Sequence, residues 1–194
     1  INEIMYNPIS RDSDDEFIEL YNRGTNAMNL GGWRLRDGVT FTIPAGTMVP
    51  SGGYLVVARN ASRLISRYPN LSSGNTVGDY SGSLANGGER VVLAMPEAVF
   101  TTNGAVIVTN FNPVVVDEVA YRSGGRWGRW SDGGGSSLEL IDARSDNRLA
   151  ANWVDSDETA KAPWTTVEVR GVIDKTVVID TLLPQDAGRF SWGG

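Results

Sequence analysis

The chain has 194 residues, of which 41% are hydrophobic and 21% charged, a composition typical of one globular domain with an appendage. Its formal net charge is −6 and its only lysines are Lys161 and Lys175, so it lacks the basic surface by which proteins bind nucleic acids. It contains no cysteine and no histidine, which excludes thiol catalysis, disulfides, histidine-based triads and almost every zinc or copper site.

Short β-branched runs recur along the chain between glycine, asparagine, aspartate and proline, which is the pattern of an all-β sandwich. In the run EFIELYN, Phe17 and Glu19 point to one face and Ile18 and Leu20 to the other. Neither face is purely polar, so we expect this strand to be central. The predicted strands are 1–6, 16–22, 33–37, 39–43, 53–58, 90–95, 105–109, 114–121 and 137–142.

One short helix is predicted in the run NASRLISRYP. Asn60 is a suitable N-cap, Pro69 ends the helix, and Leu64 and Ile65 lie on its apolar side. We expect this helix to cover an open end of the sandwich; docking of a partner on it is the alternative.

The amino-acid composition of the chain changes after about residue 158. The run TTVEVRGVIDKTVVIDTLL supplies two more β segments. We therefore predict a domain at 1–158 and an additional β segment at 159–194. This segment either adds strands to the sandwich or begins a second domain that faintly resembles a jelly roll, and the sequence leaves both open.

An acidic stretch precedes the second predicted strand. Asp12, Asp14 and Glu16 have the spacing that starts a calcium loop. An EF-hand is excluded because its sixth and twelfth positions would be Phe17 and Arg23 instead of glycine and glutamate. The two hypotheses that remain are a looser calcium site, which makes calcium the only expected cofactor, and a solvated loop.

Carboxylates on predicted strands raise the hypothesis of a glycoside hydrolase, which uses two such groups across a cleft. The candidates are Glu3, Glu19, Asp117 and Glu118. Nothing in the sequence selects a pair among them, and strand carboxylates commonly face solvent or pair with arginine. We therefore expect a protein that is not an enzyme.

Two tryptophans in the run GRWGRWSD are the best candidates for a binding contact. Trp127 and Trp130 alternate with Arg126 and Arg129 in a loop rich in glycine. Exposed rings and guanidinium groups can stack on sugars or anchor a protein interface. The alternative is a loop folded back onto the end of the sandwich. Trp33, inside a predicted strand, is expected in the core.

Several segments, taken in order, resemble the lamin-tail domain as it occurs in bacterial exported proteins, over about residues 1–158. They are INEIMYNP, DEFIELYN, NLGGWRLRD, FTIPAGTMVPSGGYLVVAR, GERVVLA, VDEVAY and SLELIDARSDNRLAANWVDS. The resemblance implies an immunoglobulin-like β-sandwich with Greek-key connections, which agrees with the strand pattern.

The resemblance also implies a function. It suggests a non-enzymatic interaction or structural module of an extracellular or cell-surface protein, with other protein subunits or copies of itself as partners and filaments as one form of assembly. It supplies no catalytic residues. Carbohydrate binding through the loop tryptophans is the alternative, with polysaccharide as the partner. No apolar run approaches the roughly 18 residues of a membrane span, so none is expected.

Overall fold

The fold is described for residues 1–103 and 106–157 of a computed structural model. The predicted segment 159–194 lies outside the described residues. In chain order the strands are β1 (Glu3–Met5), β2 (Phe17–Tyr21), β3 (Met28–Asn29), β4 (Arg34–Asp37), β5 (Val39–Thr42), β6 (Met48–Val49), β7 (Tyr54–Ala58), β8 (Thr76–Val77), β9 (Ser81–Gly82), β10 (Arg90–Asn103), β11 (Val106–Ala120), β12 (Leu138–Leu140) and β13 (Trp153–Asp155). The helix α1 is Ala61–Arg67, and short 3-10 turns form at Ser13–Asp15 and Ala150–Asn152.

Two main sheets form the sandwich. The first sheet has the order β13-β12-β1-β2-β7-β8, and the second has the order β11-β10-β4-β5-β9. All pairs are antiparallel except β7 with β8, and β3 pairs with β6 as a small separate ribbon. The strand β2 lies between β1 and β7, so its predicted central position is confirmed. The architecture is an immunoglobulin-like β-sandwich, as the strand pattern predicts.

The core lies between the two sheets and follows from the alternation of each strand. In β2, Ile18 and Leu20 are buried, while Phe17, Glu19 and Tyr21 are half-buried on the outer face. Each fully buried aliphatic side chain contributes about 1.5–3 kcal/mol of transfer free energy. The core receives side chains from both sheets, among them Ile4, Leu55, Val57, Leu138 and Trp153 from the first and Leu35, Val39, Val91, Leu93 and Val119 from the second.

The helix forms where the sequence predicts it. The Asn60 side chain accepts a hydrogen bond from the Arg63 N–H at 3.1 Å, as an N-cap does. Its position differs from the expected one, however. Leu64 packs on Val56 and Ala58 of β7, which alternate with the core-facing residues of that strand. The helix therefore covers part of the outer face of the first sheet instead of an open end of the sandwich.

Strands β10 and β11 form one long hairpin, whereas the sequence predicts three separate strands at 90–95, 105–109 and 114–121. The pairing runs from Arg90 with Ala120 to Asn103 with Val106. A proline cannot donate a hydrogen bond to a ladder, so it is rarely found inside a sheet. Here Pro96 pairs with Pro113 beyond the last residue of β10 that pairs with β4. In such a ribbon proline is tolerated, since its missing donor can face solvent.

Candidate interaction surface

The hairpin extends beyond the sandwich as an arm, which we define as residues 95–103 and 106–115. Only Val91–Ala94 of β10 pair with β4, and no described strand pairs with the outer edge of β11. A strand of nine residues spans about 30 Å, so the arm is about as long as a small domain is wide. A β-bulge at its base leaves Val116 without a partner in the ladder.

One face of the arm is apolar. The register pairs Phe100 with Thr109 and Ala98 with Phe111, so by strand alternation Phe100, Phe111 and Ile107 share a face. Their side chains are 68%, 65% and 67% exposed. Contiguous exposed apolar residues of this size are typical of interaction sites.

Two arginines lie at the foot of this apolar face. Arg34 pairs with Ala94 and Arg36 with Val92, which places both guanidinium groups on the outer face of the second sheet. Thr40 and Thr42 of β5 are exposed beside them. We call these four residues the basic patch. Because Ala94 shares the face of Phe100 by alternation, the patch and the apolar face of the arm are continuous.

The arginines of the basic patch form no ion pair with a carboxylate of the described residues. Neither Arg34 nor Arg36 makes a side-chain hydrogen bond or an ion pair within the described residues. By contrast, Arg90 on the same sheet pairs with both Asp37 and Glu118. On a chain of net charge −6, the patch is thus a local cationic surface open to an anionic group.

The four loop residues predicted to form a binding contact differ in their exposure to solvent. Trp127 is half-buried, and its ring lies 6.3 Å from the ring of the buried Trp153. Trp130 is 56% exposed, and Arg126 and Arg129 are exposed as well. One tryptophan therefore extends the core and the other is available for contact. Binding by this loop stays a prediction.

The loop that carries these residues is fixed by Asp155 of β13. The carboxylate accepts hydrogen bonds from the Arg129 N–H at 2.9 Å and the Ser131 N–H at 2.7 Å. A Cβ on Gly134 would lie only 2.7 Å from the Trp130 ring, so the ring rests directly on the backbone there. Trp130 is therefore held in place although it is exposed.

The carboxylates of the acidic stretch form hydrogen bonds and ion pairs with different residues. Asp12 caps the 3-10 turn by accepting from the Asp14 N–H at 3.0 Å, and it forms an ion pair with Arg63. Asp14 lies beside Arg59 and accepts a hydrogen bond from Asn60 at 3.1 Å. In the described residues no group of three or more acidic side chains is arranged to hold a metal. Calcium binding there stays a prediction, with isothermal titration as its test.

Asp15, between these residues, ties the 3-10 turn to the helix. Its buried carboxylate accepts hydrogen bonds from Arg63 at 2.7 and 3.0 Å, from Arg67 at 2.6 Å and from Ser10 at 2.6 Å. Burial alone would raise the pKa of Asp15, but the hydrogen bonds from Arg63, Ser10 and Arg67 outweigh it and lower the pKa. The carboxylate is therefore a structural anchor.

Glu16, the third residue of the predicted calcium set, points into the protein. It is 3% exposed and accepts hydrogen bonds from the Tyr80 hydroxyl at 3.1 Å and the Leu84 N–H at 2.8 Å. Burial raises its pKa, and these two hydrogen bonds only partly oppose the effect. Glu16 therefore lies away from the solvent-facing side chains of Asp12 and Asp14.

The four carboxylates considered for hydrolysis lie on different sheets. Glu3 and Glu19 are cross-strand neighbours in the first sheet, and the same row continues to Glu139. Asp117 and Glu118 are consecutive residues of β11 in the second sheet, so they point to opposite faces. The described residues do not bring these four groups together at one cleft.

The fold and its surface define a class. In the part of the chain that the structure describes, the protein is an immunoglobulin-like sandwich that exposes an apolar arm, a basic patch and the Trp130 ring. The family model for the Lamin Tail Domain matches residues 1–155, and the chain belongs to that family. It is a family of non-catalytic immunoglobulin-like domains, and the predicted resemblance to the lamin-tail domain is thereby confirmed.

No curated protein and no solved structure matches this chain. In the part of the chain that the structure describes, no helix is long and apolar enough to cross a membrane.

Sequence reasoning missed the arm and the basic patch, although signals for both are present. Asn103 and Gly104 stand between two β-rich runs, and Asn-Gly in that setting is a strong hairpin signal. In WRLRD, Arg34 and Arg36 flank the buried Leu35. In a strand this spacing places both arginines on the solvent side.

Proposed function

We propose that this chain is a protein-binding module of an exported or cell-surface protein, and that it binds through the apolar face of the arm together with the basic patch. The exposed apolar face carries the proposal. An isolated ribbon with Phe100, Ile107 and Phe111 in water is costly unless a partner covers them. Membership of a non-catalytic immunoglobulin-like family supports a binding role in place of catalysis.

The two parts of this surface suggest what kind of partner it takes. The arm offers apolar contact and an open strand edge, to which an extended segment can add by backbone hydrogen bonds. The basic patch favours carboxylates, because guanidinium groups bind them with two parallel hydrogen bonds. An extended polypeptide that combines aromatic or aliphatic residues with acidic ones would satisfy both.

A peptide selection tests the proposal. A phage-displayed library of random peptides is panned on the whole chain, and the selected peptides are measured against the double variant Phe100→Ser, Phe111→Ser. We expect selected peptides that carry acidic and aromatic residues, and a loss of affinity of at least about tenfold in the variant, since two apolar anchors are removed. The matched control is Val108→Ser, which alters the opposite face of the arm.

Two outcomes would contradict the proposal. One is a set of peptides that bind the double variant as well as the wild type. The other is peptides that bind Val108→Ser as poorly as the double variant, since the apolar face would then have no special part.

Carbohydrate binding is a second candidate, and the exposure of Trp130 favours it. A ring that is 56% exposed yet held on Gly134 is a rigid platform for a sugar face. Arg129 and Arg126 are exposed beside it and could donate to hydroxyl groups. A glycan array comparing the wild type with Trp130→Ala is the test; equal signals from both would exclude this ring as the site.

The exported location is part of the proposal and is supported by the resemblance to bacterial exported members of the family. Fractionation of the cells that make the protein, with an antibody to this chain, is the measurement. Recovery only in the cytosolic fraction would contradict it.

A further inference from the structure

A polar cleft of about 460 Å³ lies where three loops meet. The loops are the one between β1 and β2, the one between β9 and β10, and the one before β12. Asn7 of the first loop donates a hydrogen bond to Asp132 of the third at 2.8 Å. Glu16, also of the first loop, accepts one from the Leu84 N–H of the second at 2.8 Å. These contacts join all three loops, so the cleft is a fixed part of the fold.

The buried carboxylate of Glu16 lines this cleft. Its Oε2 atom accepts the hydrogen bonds from Tyr80 and Leu84, and no group of the described residues donates to its Oε1 atom. Among the same residues, the only fully enclosed side-chain oxygen or nitrogen without a partner is the Tyr6 hydroxyl. The Oε1 atom is therefore not enclosed, and it faces the cleft.

Glu16 also lacks the cationic partner that a buried carboxylate usually has. The preceding residue, Asp15, forms ion pairs with Arg63 and Arg67, whereas Glu16 forms none with the described residues. Burial is the largest influence on the pKa of Glu16 and raises it. A cation supplied by a ligand would offset this cost, because it would bring the missing opposite charge to the carboxylate.

We propose that the cleft binds a primary ammonium group, with the Oε1 atom of Glu16 as its main acceptor. An ammonium has three hydrogen atoms to donate. The cleft offers further acceptors in the hydroxyls of Ser13 and Ser83 and the amide oxygen of Asn86. None of these three side chains makes a hydrogen bond within residues 1–103 and 106–157. The site goes beyond the proposed function, since it shares no residue with the arm or the basic patch.

Other ligand classes fit the cleft less well. Calcium takes six to eight oxygens, and the described residues arrange no group of three or more acidic side chains for a metal. An anion would meet Glu16 and Asp132 with only Arg11 as a counter-charge in the lining. A guanidinium binds a carboxylate best through both oxygens, and one oxygen of Glu16 is already used. A neutral hydroxyl would leave the buried charge without compensation.

A titration followed by nuclear magnetic resonance on the whole chain tests the proposal. The reporter is the Leu84 amide, because it donates to Glu16. The probe is Nα-acetyl-lysine methylamide, whose only charge at about pH 7.5 is its ammonium. We expect a saturable shift of the Leu84 signal with a dissociation constant of about 1–10 mM, as for one charge-assisted contact. The neutral Nε-acetylated probe should bind at least about tenfold more weakly.

A second pair of probes distinguishes two sources of the ammonium. Glucosamine carries the group on a sugar, and N-acetylglucosamine is its neutral counterpart. Tighter binding of the lysine probe supports the site and assigns the ammonium to a protein partner. Tighter binding of glucosamine supports the site and assigns it to an amino sugar.

Two variants locate the contact. Glu16→Gln removes the charge and keeps the shape of the side chain, and it should weaken binding of the charged probe at least about tenfold. Ser83→Trp fills the cleft and leaves the carboxylate in place, so it should weaken binding as much. Ser73→Trp is the matched control, because Ser73 is exposed and lies outside the lining of the cleft; it should bind like the wild type. Circular dichroism establishes that each variant is folded.

Three results would overturn the proposal. One is the absence of a saturable Leu84 shift up to about 50 mM of either charged probe, which would mean that water alone occupies the cleft. Another is equal binding of the charged and acetylated probes. The third is a folded Glu16→Gln or Ser83→Trp variant that binds like the wild type. The peptide selection described above uses other residues, so its outcome is independent of these.

Discussion

Replacing Asp15 by asparagine should lower the free energy of unfolding by about 2 kcal/mol. The change removes the negative charge to which Arg63, Arg67 and Ser10 donate hydrogen bonds. A fully buried ion pair that loses one partner costs 3–5 kcal/mol. The smaller value applies here since the side chains of Arg63 and Arg67 are 28% and 49% exposed, so water can take over part of their solvation.

Urea unfolding followed by tryptophan fluorescence measures this effect, and Asp14→Asn is the matched control. The Asp14 side chain is 43% exposed and its contact with Arg59 is 3.5 Å long, so its replacement should change the stability by no more than about 0.5 kcal/mol. If both variants lose the same stability, Asp15 is not the anchor of the helix and the reasoning is refuted.

The pH dependence of the Asp15 variant has a definite sign. The pKa of Asp15 is lower in the folded protein than in the unfolded chain. The contribution of its ionised carboxylate to the free energy of unfolding is therefore fully present above the unfolded pKa of about 3.9. It is lost as the pH falls through the folded pKa. The difference in unfolding free energy between wild type and Asp15→Asn should therefore be constant from pH 7 to about pH 5 and shrink below about pH 4.

The remaining predictions concern Glu16 and the two loop tryptophans. Burial raises the pKa of Glu16, so its charged form opposes folding; Glu16→Gln should gain stability relative to the wild type as the pH rises from 4 to 7, and urea titrations that show a constant difference would contradict this. Trp127→Ala should lose about 2 kcal/mol because the ring packs on the core, whereas Trp130→Ala should stay within about 0.5 kcal/mol. Equal unfolding midpoints for the two tryptophan variants would count against the assignment.

Local patterns predicted those parts of the fold that depend on neighbouring residues. The alternation in EFIELYN predicted a strand over 16–22, and the structure has β2 at Phe17–Tyr21. The cap at Asn60 and the stop at Pro69 predicted the helix found at Ala61–Arg67. Both signals are read within a few residues of the chain, where side-chain period and capping act.

Features that depend on distant residues could not be predicted in this way. The arm requires Pro96 to meet Pro113, and each proline alone argues against a strand. The role of Asp15 depends on arginines of the helix far along the chain. The acidic stretch therefore looked like a calcium loop or a solvated one, since the sequence does not show which carboxylate has a cationic partner.

The bulge at Val116 has a consequence for how the family could diversify. Deleting this residue would bring Asp117 next to Val115 opposite Leu93 and Ala94, and every other pair of the hairpin would be kept. A bulge bends and twists the strand that holds it, so the deletion would change the direction of the arm and leave the core intact. A single codon can thus redirect the apolar face of the arm during evolution, and protein engineers could adjust its direction in the same way.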